Sequence, residues 1–193
     1  GSDFLHIDNL ANATTGGTPQ DVDGRLAKII EVASLAFING VEAMAARARV
    51  VVRWVPGNHD WLVSHCLARE VAAWFRHARH VEVDASPPPR KYHRYHATLI
   101  GLAHGNEERR EKLPALMALE RKKDWAETSC REWHLGHEHR PRRQDHFALD
   151  TDGGVTVRTL PSLSATDAWH FRRGFVGTTR ASEAYFYDRD GFA

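Results

Sequence analysis

Three short segments place amide, imidazole and carboxylate side chains beside a glycine, each directly after a run of apolar residues. Gly57-Asn58-His59-Asp60 follows residues 50–55, His104-Gly105-Asn106 follows residues 99–103, and Gly136-His137-Glu138-His139 follows residues 133–135. The apolar runs predict strands, and open α/β sheets bind ligands at the carboxyl ends of their strands. Oxygen and nitrogen ligands at three such ends therefore predict one metal-dependent active site.

The first of these turns combines a metal ligand with a proton-handling pair. Asn58 has a short side chain that reaches a metal only if the backbone comes close, and Gly57 permits that approach. In His59 and Asp60, an imidazole faces the substrate while a carboxylate orients it and raises its pKa. The alternative is a polar turn that caps the following helix, with Asp60 as its N-cap.

The two histidines of the third segment are spaced at i and i+2. In an extended chain both side chains point the same way, so His137 and His139 can bind one metal or bridge two. Paired histidines also occur in solvated loops, and a single histidine such as His104 is more often structural. A purely structural zinc site at the pair would leave Asn58 and Asp60 unexplained.

The elements that must position these residues alternate along the chain, which predicts a layered α/β domain over residues 1–193. Helical spacing of apolar residues predicts helices over residues 23–48, with Asp23 as N-cap, and 61–77. A charged helix is predicted over residues 107–125. Strands are predicted over residues 50–55, 80–84, 92–103 (two strands broken near 94–96), 133–135, 146–149, 155–160 and 184–188.

Composition narrows the function classes. The 193 residues carry a formal net charge of +1, which argues against a strongly basic nucleic-acid platform, while 13 histidines favour a metal site. Cys66 and Cys130 imply no disulfide framework, so a reducing compartment is expected. With no apolar stretch of about 18 residues and no signal peptide, we expect a cytoplasmic protein without membrane partners.

Taken together, the three segments resemble the calcineurin-like metallophosphoesterase family, in the family's order and with fitting spacing. Asp3-Phe4-Leu5-His6 extends the match, because it resembles the Gly-Asp motif of the DNA-repair exonuclease branch, in which the Asp bridges two metals. Gly1-Ser2 stands where the family has a glycine. The resemblance implies an α/β fold of the layered four-layer type, an α/β/α sandwich with mixed sheets.

By this resemblance, one metal is held by Asp3, Asn58, His104 and His137. The other would need Asp3 and His139 together with the Asp and His of an earlier Asp-x-His strand, which does not precede Gly1 here. We therefore expect an N-terminally truncated domain with low activity on its own. A one-metal or degenerate family member is the alternative.

The mechanism implied by the resemblance is two-metal hydrolysis of a phosphate ester by an activated water, with His59 as transition-state stabiliser or proton donor and Asp60 as its partner. Two divalent ions are expected. Manganese is the first choice because the ligands are oxygen and imidazole without cysteine, and iron, zinc or magnesium are alternatives. The sequence gives no oligomeric state.

Two basic regions favour DNA or RNA phosphodiesters as the substrate. Arg140, Arg142 and Arg143 follow His139, and the predicted 107–125 helix is rich in Arg and Lys, although its acidic residues can also make it an ordinary solvated face. Trp169 and His170 follow a later strand, where Trp169 could stack on a base or simply pack. A non-catalytic binding or scaffold module built on a degenerate phosphoesterase domain stays open as a different class of function.

Overall fold

Apolar residues at helical spacing form the first helix, α1 (Leu26–Ala45), in a computed structural model that describes residues 3–137, 143–147, 154–163 and 181–191. Ala33, Ile38 and Val41 are buried on one side of α1. The prediction of Asp23 as N-cap is wrong, because Arg25 occupies that position with an extended backbone and makes no side-chain capping bond. Gly24, which loses more conformational entropy in a helix than any other residue type, stays outside it.

The chain divides into two compact units, Gly1–Pro89 and Arg90–Ala193, which are described separately. The first unit contains α1, β1 (Val50–Arg53), α2 (Trp61–Trp74) and β2 (Val81–Asp84). The strands are parallel neighbours, with Val50 opposite Val81. Parallel strands need a crossover connection between them, and α2 provides it here.

The core of the first unit lies between its helices and one face of its small sheet. Leu67 and Val71 of α2 pack with Ile38 and Val41 of α1, and the alternate valines of both strands pack against them. β1 is half-buried along its whole length. Among the described residues β2 is its only strand partner, and the other face of this pair carries charged side chains such as Arg53 and Asp84.

The second unit is built on a five-stranded mixed sheet in the order β3-β4-β5-β7-β6. Its strands are β3 (Lys91–Tyr95), β4 (Thr98–Ala103), β5 (Cys130–Leu135), β6 (Arg143–Phe147) and β7 (Val155–Thr159). β4, β5 and β7 are parallel, while β3 and β6 pair antiparallel at the two edges. Antiparallel edge strands on a parallel centre are common in α/β sheets.

The core of the second unit is organised around Trp133 of β5, which is completely buried. The indole N–H of Trp133 donates to the carbonyl of Leu113 at 3.0 Å, and its ring lies over Gly101 of β4. A Cβ at Gly101 would lie 2.6 Å from that ring, so a glycine is required for this packing. Val155 and Val157 of β7 complete the buried face.

The predicted continuous helix over residues 107–125 is wrong. A 3-10 turn (Arg110–Lys112) leads into α3 (Leu113–Glu120), which is followed after Arg121 by α4 (Lys122–Ala126). Pro114 lies in the first turn of α3, where its missing N–H is tolerated; in the interior of a longer helix it would remove a hydrogen bond and clash. Arg121 leaves the helical region with ψ of 44°.

The predicted strand at residues 184–188 is also absent, since residues 181–191 form no strand. Tyr187 makes an isolated β-bridge, and the side chains of Tyr185 and Tyr187 contact the sheet. The Tyr187 hydroxyl donates to Glu132 at 3.2 Å, and the guanidinium of Arg158 lies 5.2 Å from the centre of the Tyr185 ring. The described fold is therefore mixed α/β, with two sheets, neither of which is closed. A single domain over residues 1–193 stays a prediction.

Candidate functional site

The Gly57–Asp60 turn of the first unit is fixed by the segment that carries Asp3. Oδ1 of Asp3 accepts a hydrogen bond from the backbone N–H of His59 at 2.9 Å, and Oδ2 of Asp60 accepts one from the N–H of Leu5 at 2.7 Å. These reciprocal carboxylate-to-backbone bonds join two predicted site segments that are more than fifty residues apart in sequence. Asn58 and His59 lie half-buried between them.

Gly57 is the residue that allows this close approach. A Cβ at this position would lie 2.5 Å from the backbone N of Asp3, 2.9 Å from Oδ1 of Asp60, and in severe overlap with the Asp3 carboxylate. Carboxylate oxygens thus lie directly against the backbone of the turn. The group that lies close to Gly57 is the Asp3 segment, and the approach of this turn to a metal stays a prediction.

Asp60 is fully buried, and its environment alters its proton affinity. Burial raises its pKa to about 6, the Leu5 N–H opposes that rise, and the nearby charges of Asp3 and Asp8 add to it. Oδ1 of Asp60 makes no hydrogen bond with the residues that the structure describes. A buried carboxyl group with one oxygen unbonded is well placed to hold or exchange a proton.

The ring of His59 lies against His6, a residue to which the sequence analysis gave no role. Their Nδ1 atoms are 3.3 Å apart, and the ring centres are 5.2 Å apart. A hydrogen bond joins the two rings at this distance when one Nδ1 carries a proton and the other does not. The signal that could have indicated this contact is the short spacing of Asp3 and His6, because it puts His6 in the same segment that returns to the Gly57–Asp60 turn.

The expected capping role of Asp60 belongs to other residues. The side chain of Asp60 makes no capping bond to α2. Oδ1 of Asp8 instead accepts from the N–H of Val63 at 2.8 Å, and the Thr15 hydroxyl accepts from the N–H of Trp61 at 3.1 Å while donating to Asp8. The 3–15 segment therefore fixes the start of α2, which leaves Asp60 for the turn.

In the second unit, His104 and His137 lie together at the carboxyl ends of β4 and β5. Nδ1 of His137 is 3.1 Å from Nε2 of His104, and the rings meet edge to face with centres 4.9 Å apart. The Gly136 N–H donates to the His104 carbonyl at 2.9 Å, which ties the two loops together. Parallel neighbouring strands bring these residues together, as the sequence predicts.

This nitrogen pair suits a divalent metal. Two imidazole ligands about 2.1 Å from one ion lie about 3.0 to 3.4 Å from each other in octahedral or tetrahedral geometry. His104 is 4% exposed, so its ring is held in place by the surrounding protein. His137 has a φ of 61°, the left-handed region that few residues other than glycine adopt without cost.

The remaining predicted site residues lie outside the described residues. These are the metal ligand His139 and the substrate-binding residues Arg140, Trp169 and His170. Two basic residues of the 107–125 region make internal contacts, of which only that of Arg121 is with an acidic residue of the same region. Arg110 donates to Asp145 at 2.8 Å and to the Val157 carbonyl at 3.0 Å, and Arg121 pairs with Asp124.

Cys66 and Cys130 are both free thiols. Among the described helices, none is long and apolar enough to cross a membrane. The chain matches no protein-family model, no curated protein and no solved structure.

Proposed function

We propose that this chain is a metal-dependent phosphoesterase, and that nucleic-acid phosphodiesters are its substrates. The observation that carries the proposal is the turn of the first unit, where the His6–His59 pair lies on the same two segments as Asp3 and the buried Asp60. Imidazoles beside carboxylate oxygens can supply the proton that the leaving group needs in phosphate-ester cleavage. The fold that accompanies this function is the four-layer α/β sandwich.

The donor groups on each unit fit a divalent ion separately. In the first unit, Asp3 and Asn58 offer a carboxylate and an amide oxygen on a turn with no space for a side chain at Gly57. In the second, His104 and His137 offer two imidazole nitrogens 3.1 Å apart. Oxygen and imidazole donors without sulfur favour manganese, with iron, zinc or magnesium as alternatives, and a second ion is part of the proposal. When bound, the ions would polarise the phosphoryl oxygens and lower the pKa of water.

His59 and His6 are the proton-handling residues. If one ring is an imidazolium, it carries protons on both nitrogens: it donates from Nδ1 to the other ring and can give its Nε2 proton to the leaving oxygen of the ester, which leaves a neutral pair. Asp60 has a different role: its carboxylate accepts a hydrogen bond from the Leu5 backbone and so positions the segment that carries Asp3 and His6. Asp60 is thus a positioning residue in this proposal.

The test is hydrolysis of bis-p-nitrophenyl phosphate with added Mn²⁺, together with Mn²⁺ binding by isothermal titration calorimetry. His59→Gln should lower kcat by about 10² to 10⁴-fold, the range for loss of a general acid, with metal affinity little changed. His104→Ala should weaken Mn²⁺ binding. His96→Asn, an exposed residue in a turn with φ of 46°, is the matched control, because Asn tolerates that backbone.

The outcomes separate the enzyme from a binding module. Hydrolysis that falls with His59→Gln and not with His96→Asn supports the phosphoesterase. Mn²⁺ binding that depends on His104 but brings no hydrolysis would contradict it and favour the non-catalytic module.

A further inference from the structure

Two basic segments immediately precede the strands of the first unit. Arg47-Ala48-Arg49 leads into β1, and Arg76-His77-Ala78-Arg79-His80 leads into β2. Because Val50 pairs with Val81 in parallel register, and the Val50 N–H donates to the His80 carbonyl at 2.8 Å, both segments lie at the amino end of the small sheet. We call this surface the amino-end patch: Arg47, Arg49, Arg76, His77, Arg79 and His80.

All six side chains of the amino-end patch are exposed. The acidic residue paired with the patch is Glu82, which bonds Arg49 at 2.8 Å and also lies 3.9 Å from Arg53. Arg47, Arg79 and His80 make no side-chain hydrogen bond or ion pair with the residues that the structure describes. The patch therefore keeps a positive charge that local carboxylates do not neutralise.

An exposed tryptophan stands beside the amino-end patch. Trp74 is the last residue of α2, two positions before Arg76, and 59% of its surface is exposed. Its indole N–H donates to Glu42 at 3.2 Å, which restrains the ring while leaving a large face in solvent. A restrained aromatic face beside arginines is the combination that binds a base and its neighbouring phosphates.

The amino-end patch is separate from the candidate site of the same unit. β1 runs from the patch to the Gly57–Asp60 turn, and four strand residues span about 13 Å. The patch therefore cannot take part in proton transfer at His59. It can only add affinity for a ligand that is bound outside the site.

We propose that the amino-end patch binds single-stranded nucleic acid, with its arginines on successive phosphates and a base stacked on Trp74. Arginine presents a planar fork that matches phosphate oxygens, and the small Ala48 and Ala78 let a backbone approach closely. Apart from the neighbouring Trp74, the two basic segments present no large apolar side chain, whereas a helix that lies in a bilayer surface presents a whole apolar face. The binding stands independently; only its use in hydrolysis rests on the proposed function.

Fluorescence anisotropy with a labelled DNA strand of about 20 nucleotides, in EDTA, measures binding apart from catalysis. The triple variant Arg47→Gln, Arg49→Gln and Arg79→Gln should raise Kd at least about tenfold and lower the slope of log K against log salt by about 2, because each lost phosphate contact on a single strand removes about 0.7. Trp74→Ala should raise Kd by about tenfold with the salt slope unchanged.

The matched control removes the same charge elsewhere in the unit. Arg25→Gln, Lys28→Gln and Arg69→Gln change three exposed basic residues that lie outside the patch. Equal loss of affinity in the two triple variants would overturn the proposal, since net charge alone would then explain the binding. Tighter binding of duplex than of single strand, or of phosphatidylserine vesicles in place of DNA, would also overturn it.

Hydrolysis distinguishes this surface from the site. The patch variant should hydrolyse bis-p-nitrophenyl phosphate like the parent protein, while its KM for a long single strand rises. If the small ester is not cleaved by the parent protein but the strand is still bound through the patch, the proposed function fails and the binding surface stands.

Discussion

Replacing Gly57 by alanine tests the close approach on which the candidate site depends. Gly57 does not have a positive φ, so alanine meets no backbone penalty and the cost comes from space alone. The new Cβ would overlap the Asp3 carboxylate and lie 2.5 Å from the Asp3 N and 2.9 Å from Oδ1 of Asp60. Overpacking of this kind costs about 1–3 kcal/mol.

The displaced segment would lose a second contribution. Moving Asp3 breaks the bond from its carboxylate to the His59 N–H, and a hydrogen bond to a charged group contributes about 1.5–3 kcal/mol. We therefore expect Gly57→Ala to lower the free energy of unfolding by about 3 kcal/mol or more. That is a large part of the 5–15 kcal/mol that stabilises a typical domain.

Urea denaturation in EDTA measures this change without metal. Gly40→Ala is the matched control, because Gly40 lies within α1 and a Cβ there meets nothing within 4 Å. Alanine at that position should raise stability by about 0.5–1 kcal/mol. If Gly57→Ala unfolds at the same urea concentration as the parent and binds Mn²⁺ equally, the close approach of Asp3 to the turn is refuted.

Other predictions concern buried carboxylates. The folded-state pKa of Asp60 is about 6, above its ordinary value near 3.8, so the folded protein holds this proton more tightly than the unfolded chain does. The free energy of unfolding should therefore fall by up to about 3 kcal/mol as pH rises from about 4 to about 6. Asp60→Asn should remove that pH dependence when unfolding is measured in EDTA. The pKa of Glu132 is shifted in the opposite direction: burial would raise it, but hydrogen bonds from His134 and Arg158 lower it to about 2. Its contribution of about 3 kcal/mol to the free energy of unfolding should be lost as pH falls from about 4.5 towards 2. Glu132→Gln should therefore make stability depend less on pH in this acid range. Asp8→Ala should lower stability by about 1–2 kcal/mol through loss of the Val63 cap, measured by thermal unfolding, and an unchanged melting temperature would contradict the capping assignment.

Local periodicity predicts much of this fold because it reports which side of an element is apolar. The spacing in residues 26–45 and 61–74 gives α1 and α2, and the β-branched run before Pro56 gives β1. The convergence of His104 and His137 follows from their positions after parallel strands. Those inferences need only the chain near each element.

The features that sequence could not predict depend on partners distant along the chain. The side chains that cap α2 belong to Asp8 and Thr15, so the position of Asp60 directly before the helix wrongly suggests that its side chain is the cap. The His6–His59 contact likewise needs the Asp3 segment to return to the turn. Tyr185 and Tyr187 alternate like a strand, but their side chains contact those of the sheet.

Three candidate residues have left-handed backbones: in the first unit Asp3 with φ of 57° and His6 with φ of 66°, and in the second unit His137 with φ of 61°. A side chain in that region costs about 1–2 kcal/mol that glycine would not incur. Alanine scanning at these positions therefore mixes loss of the functional group with a conformation that alanine also resists. Glycine removes the functional group and relieves this backbone cost together, so an inactive His137→Gly variant that loses no stability would show that the protein retains this strain for its site.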